Sequence, residues 1–159
     1  MNAHYYPVAL NLRNKSALVI GAGEVAERKA RALLEAGAKV QIVSPEATSA
    51  LRGLAKQHKI RWIKRLVKRS DVLGPDIIIA ATSSQQINKK VSLWAKKRKT
   101  LLNLVDQPRL SGFISPAVLH TPQATVAVYT NGRNPGLSRD LKNFLKEHWD
   151  VFLSYRNRL

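Results

Sequence analysis

An α/β fold built on a parallel sheet is the class this sequence predicts, and three observations carry it. Short apolar runs alternate with stretches of helical periodicity. A glycine break, Gly21-Ala22-Gly23, separates the first apolar run from the first helical stretch. Successive elements are joined by short links, as crossover connections in a sheet covered on both faces require.

Residues 16–20 (Ser-Ala-Leu-Val-Ile) read as a buried strand that stops at glycine. From Glu24 to Ala36 the apolar positions Val25, Ala26, Ala30, Leu33 and Leu34 share one helical face, with Glu27, Arg28, Arg31 and Glu35 opposite. Gly37 supplies a helix stop. Val40 to Val43 is a second strand closed by Ser44-Pro45, Thr48 to Gln57 a helix, and Ile60 to Ile63 a third strand. Asp76 to Ala80 is the clearest buried strand; a helix from about Ser84 to Lys97 and a strand at Leu101 to Val105 follow. Beyond Pro108 the pattern changes. Phe113 to Leu119 and Thr125 to Tyr129 read as strands joined through His120-Thr121-Pro122, and a polar turn leads into one amphipathic helix carrying Leu137, Leu141, Phe144, Leu145 and Trp149. The division predicted is a nucleotide-type domain over residues 1–110 and a small β-plus-helix extension over residues 111–159.

The chain has 159 residues, 45% of them hydrophobic, which is enough for one full core. No apolar stretch reaches the roughly 20 residues that span a bilayer, and no secretory leader is visible, so a cytoplasmic protein without a membrane partner is expected. Cysteine is absent, which removes disulfides and thiolate chemistry. The four histidines (His4, His58, His120 and His148) lack metal-ligand spacing, so no metal is expected. Trp62, Trp94 and Trp149 read as packing residues. A net charge of +17, from 27 Lys and Arg against 10 Asp and Glu, favours an anionic partner or simply a solvated basic face. Its clusters, Lys64 to Arg69 and Lys96 to Lys99, lack the interleaved aromatics of single-strand binding, and nucleic acid is not the partner expected.

Gly21-x-Gly23-x-x-Ala26 matches the dinucleotide fingerprint of Rossmann-type sheets. Gly21 permits the tight turn, Gly23 lets the backbone approach a pyrophosphate, and small Ala26 lets the helix close on the strand. Glu24 and Val25 open that helix, whose N-terminus aims N–H groups at the phosphates. Ser44, followed by Pro45, stands where an acid would hold the ribose; serine bonds a hydroxyl without selecting NAD over NADP. Ala81, Thr82 and Ser83 end the fourth strand; the small residues admit a ribose or nicotinamide, although Ser83 serves equally as a helix cap. Asp106 ends the fifth strand, where it is either an acid/base at the crevice or a turn former before Pro108.

The segments "YYPVALNLRNKSALVIGAGEVAERKARALLEAGAKVQIVSP", "IIIAATS", "NLVDQPRLSGFISPAVL" and "VAVYTNGRNPGLSRDLK" resemble the precorrin-2 dehydrogenase family, which includes the dehydrogenase module of siroheme synthase. The likeness runs from about Tyr6 to Leu145. It implies NAD-dependent oxidation of precorrin-2 to sirohydrochlorin, in siroheme or cobalamin biosynthesis, with Asp106 matching the family's acid/base in N-x-V-D. Relatives that use NAD also lack an acid after the second strand, so Ser44 fits. The region from Phe113 resembles the family's dimerisation segment, which implies a homodimer. A polycarboxylate tetrapyrrole gives the basic charge a partner, with Asn103, Arg109, Thr130, Arg133 and Arg139 as candidate contacts. Larger relatives carry a further helical domain and a methyltransferase. The chain stops at Leu159, which argues against ferrochelatase activity and leaves methylation to other proteins. The competing class is a non-enzymatic tetrapyrrole- or nucleotide-binding protein with the same fold.

Overall fold

A computed structural model describes residues 5–96, 98 and 100–156; His4, Lys97 and Lys99 lie outside them. In chain order the elements are β1 (Ser16–Ile20), α1 (Glu24–Glu35), β2 (Lys39–Val43), α2 (Ser49–Lys56), β3 (Arg61–Ile63), β4 (Ile77–Ala80), α3 (Gln85–Ala95), β5 (Leu101–Leu104), β6 (Ala117–His120), β7 (Thr125–Val128), α4 (Pro135–Glu147) and α5 (Trp149–Arg156).

The first five strands form one parallel sheet in the order β3-β2-β1-β4-β5, a Rossmann-type α/β arrangement, and β6 and β7 form a separate antiparallel pair. β1 is central because it is apolar throughout: Ala17 to Ile20 are at most 2% exposed. Alternate residues feed the two faces. Ala17, Val19, Val40, Ile42, Ile77 and Ile79 pack under α1 and α2 with Ala26, Ala30, Leu33 and Leu51. Leu18, Ile20, Val43, Ile78 and Ala80 pack on the other face with Val91 and Ala95 of α3. Ile20 is in register with Val43 on one side and Ala80 on the other, so the carboxyl ends of three strands finish level.

Two compact units divide the chain. One is Pro7–Phe113; the other holds Ile114 onward together with Tyr5 and Tyr6. Residues 111–113 run along β5: Gly112 N–H donates to Leu102 O at 2.8 Å, Leu104 N–H to Ser111 Oγ at 2.8 Å, and Asn103 Nδ2 to Phe113 O at 2.9 Å. The strand expected from Phe113 accordingly begins only at Ala117, after Pro116, which has no N–H for a ladder.

One segment not read from the sequence and two changed expectations complete the fold. The β3-to-β4 crossing carries a short 3₁₀ turn, Arg69–Val72, which buries Val72 and is clamped by a bidentate Arg65–Asp71 pair at 2.7 Å. The single C-terminal helix is two. It breaks at His148, whose ring Nδ1 sits 2.9 Å from Phe144 O, the carbonyl that also accepts the His148 N–H. On α1, Val25 is 37% exposed rather than facing the core. Half-buried Lys29 sits a turn further on, and burial pushes its ammonium down to about 8.

Candidate functional site

The sheet's carboxyl end opens into a cavity of about 840 Å³ bordered by the loops after β1, β2, β4 and β5. In a doubly wound sheet this is where ligands bind.

Gly21 turns the chain out of β1 at φ +97°, and a Cβ there would lie 2.5 Å from the Ala81 carbonyl oxygen. Its lack of a side chain thus serves backbone packing between the β1 and β4 loops rather than the ligand directly. Gly23 differs. A Cβ on it would meet no atom within 4 Å, so that space lies open on the cavity wall. Gly23 is also the cap residue of α1 and offers no side-chain hydrogen bond. The other two helices of this unit are capped by Thr48 on Leu51 N–H and by Ser84 on Ile87 N–H. The first-turn N–H groups of α1 therefore face the cavity without a side-chain competitor, the arrangement that suits a pyrophosphate. Ala26, fully buried, allows α1 to lie close on the sheet.

Of the other expected cofactor residues, Glu24, Val25, Ser44, Pro45, Ala81, Thr82 and Ser83 all line this cavity. Their roles shift in detail. The cap of α3 is Ser84, which leaves Ser83 exposed on the wall. The Thr82 hydroxyl is turned inward, where it donates to Asn88 Oδ1 at 2.9 Å and accepts from Ser84 N–H at 3.2 Å. Ser44 gives its backbone to the fold, its carbonyl accepting from Trp62 Nε1 at 3.0 Å.

Asp106 lies at the rim, exposed, two residues past the end of β5. Asn88 Nδ2 donates to its two carboxylate oxygens at 3.1 and 3.2 Å. Sequence reading missed Asn88. The signal was present: it falls on the core face of α3 with Val91 and Ala95, and a polar residue at such a position calls for an explanation. Also missed was Glu46, two residues past Ser44, which puts a carboxylate on the wall near the end of β2. With Glu24, Glu46 and Asp106 present and no Lys, Arg or His among the described lining residues, the cavity is locally acidic in a chain of net charge +17.

The expected substrate contacts are dispersed. Arg109 is exposed in a 3₁₀ turn three residues past Asp106. Asn103 is only 5% exposed, and its amide goes to Phe113 O; it fastens the segment after β5 instead of presenting itself to a ligand. Thr130, Arg133 and Arg139 belong to the other unit. There the Thr130 hydroxyl donates to Asn134 O at 2.7 Å, Arg133 is exposed, and Arg139 pairs with its neighbour Asp140 at 3.1 Å.

Comparison with known proteins agrees with this geometry. Siroheme synthase 3 of Aeromonas hydrophila is 37% identical over 142 residues, covering 89% of this chain and 30% of that protein. Siroheme synthase of Nitrosomonas eutropha is 39% identical over 139 residues, covering 87% and 29%. The chain thus spans under a third of the length of these curated relatives. Among solved structures, "SirC, precorrin-2 dehydrogenase" superposes with a TM-score of 0.82 at 27% identity, over 91% of this chain and 71% of that one. Residues 8–117, which hold the glycine turn, Asn88 and Asp106, match the family model described as "Putative NAD(P)-binding", and the chain belongs to that family.

Proposed function

We propose that the protein is an NAD-dependent dehydrogenase that oxidises precorrin-2 to sirohydrochlorin in siroheme or cobalamin biosynthesis. One observation carries the reading: an ionisable carboxylate, Asp106, stands at the rim of a cavity whose open glycine and uncapped helix suit a dinucleotide. The siroheme synthases and the precorrin-2 dehydrogenase it resembles supply the substrate class.

When bound, NAD⁺ supplies the hydride acceptor. The protein's own residues do the rest. The first-turn N–H groups of α1 hold the pyrophosphate, and Gly23 leaves it room. Small Ala81 and Ser83 keep the wall low beside the reacting centre. An Asp106 carboxylate oxygen accepts the proton that the macrocycle loses as it is oxidised. Charge favours NAD⁺ over its phosphorylated form: Glu46 stands near the end of β2 and, among the described residues, no cation lines the cavity to hold a 2′-phosphate.

Arg109, Arg133 and Arg139 are exposed guanidinium groups suited to the substrate's carboxylates. The unit from Ile114 onward pairs with a second copy in this reading. Among its described residues only Leu119, Val128 and Ser138 are buried, while Leu137, Phe144 and Phe152 are at least 50% exposed. So small a core gains from a symmetric partner. No helix among the described residues is long and apolar enough to cross a membrane, and the reaction is assigned to the cytoplasm.

Purified protein with precorrin-2 should produce NADH from NAD⁺ and far less NADPH from NADP⁺. Tetrapyrrole binding without NADH production would make it a carrier instead. Arg109→Ala should raise KM for precorrin-2 with NAD⁺ affinity unchanged, and light scattering at micromolar concentration should give twice the monomer mass.

A further inference from the structure

We propose that Asn88 is the positioning residue for Asp106, fixing its carboxylate to the same loop that walls the cofactor cavity; this rests on the acid/base reading of Asp106. The Asn88 side chain is fully buried, at a position on α3 where an apolar residue would pack. Both of its Nδ2 protons and its Oδ1 are hydrogen-bonded. One Nδ2 proton goes to the Thr82 carbonyl at 3.1 Å, the other is shared by the Asp106 oxygens at 3.1 and 3.2 Å, and Oδ1 accepts the Thr82 hydroxyl at 2.9 Å. The partners dictate this orientation of the amide. A carbonyl and a carboxylate only accept, so a flipped amide would set Oδ1 against both.

A purely structural role would need less. Thr82 alone offers Asn88 an acceptor and a donor, and Asp106 is exposed, so water could solvate its carboxylate. Instead the buried amide reaches across to the loop after β5 and grips both oxygens of a surface carboxylate. The hydrogen bond restrains a side chain that would otherwise sample several rotamers, and a proton acceptor works only within hydrogen-bond reach of the proton it takes. Because the same amide also holds both the carbonyl and the hydroxyl of Thr82, the loops after β4 and β5 are joined through one side chain. Asn88 donates to both oxygens of the Asp106 carboxylate.

Asn88→Leu keeps the branching at Cγ and removes both functions of the amide. In the full-length protein, kcat with precorrin-2 and NAD⁺ should fall about tenfold or more, while KM for precorrin-2 and the Kd of NAD⁺ change less than about threefold. In an Asp106→Ala background the same substitution should cost almost nothing further, since residues that act through one another are not additive. A second measurement does not depend on how Asn88→Leu folds: in ¹⁵N-labelled protein without cofactor, the Asn88 side-chain NH₂ resonances should move on Asp106→Ala. Unmoved resonances, a wild-type kcat in folded Asn88→Leu, or a full second loss in the double variant each overturn the assignment. If Asp106→Ala itself keeps wild-type kcat, the acid/base reading fails and the positioning role goes with it. A slow Asp106→Ala beside a fast Asn88→Leu removes the positioning role alone.

Discussion

The two ends of the parallel sheet carry one aspartate each in comparable places, and they are treated in opposite ways. At the amino end, Asp76 precedes β4 and, although exposed, is hydrogen-bonded by its neighbours. Its Oδ2 accepts from both the Ser16 hydroxyl at 2.7 Å and the Ser16 N–H at 2.8 Å, and Lys15 lies 3.6 Å from Oδ1. The Ser16 hydroxyl first, then its N–H and Lys15, hold that carboxyl below the usual range. At the carboxyl end, Asp106 is gripped from one side by Asn88 and stands at the rim of a cavity. The groups around Asp76 bond it from the hydroxyl and N–H of Ser16 and from Lys15, whereas Asp106 is held by Asn88 and borders the cavity. A structural carboxylate and a chemical one are thus distinguished by what surrounds them, not by their position next to a strand.

The comparison breaks most sharply at the glycines. Gly21→Ala places a Cβ against the Ala81 carbonyl at positive φ and should destabilise the fold by about 3 kcal/mol or more, read by urea unfolding. Asp106→Ala should leave stability nearly unchanged while kcat drops about a hundredfold, as loss of an acid/base does. Gly23→Val should fold normally, because its Cβ enters open space, yet weaken NAD⁺ more than about tenfold in calorimetric titration. Normal NAD⁺ affinity in that variant would remove the pyrophosphate from the α1 terminus. The smallest effect belongs to the amino end. Asp76 has a lowered folded value, so its contribution to stability is present above the ordinary carboxylate range and fades as pH falls through the folded value. The thermal midpoint of Asp76→Asn should therefore lie below wild type at neutral pH and converge with it in acid, with kcat untouched.

Much of the sheet could be read from the chain because its signals are local. Ile77 to Ala80 is apolar at every position, as a strand buried on both faces must be, and Gly21-x-Gly23 announces the turn that the backbone then makes. What escaped depends on partners distant in sequence. Asn88 is one polar letter in a helix until Thr82 and Asp106 are seen on either side of it. The tight turn expected at Gly21 is there, but the second demand on it, clearing the Ala81 carbonyl, is a contact between loops 60 residues apart. The late start of β6 follows from hydrogen bonds to β5 that no periodicity records. Glu46 was passed over because the ribose position was assigned to the residue directly after β2, whereas the cavity wall continues through Thr48.

The central place of β1 has a consequence for how the chain comes together in time. One edge of β1 pairs with β2, the very next strand, but the other waits for β4, and Ser16 meets Asp76 across 60 residues. Closing the longer loop costs more entropy, so the β1–α1–β2 segment is expected to assemble first. On the ribosome, Leu18 and Ile20 would then present an unpaired strand edge until β4 has emerged, the interval in which nascent chains are open to wrong pairing. Pulse-labelled hydrogen exchange during refolding should show amides of Val40 to Val43 protected before those of Ile77 to Ala80.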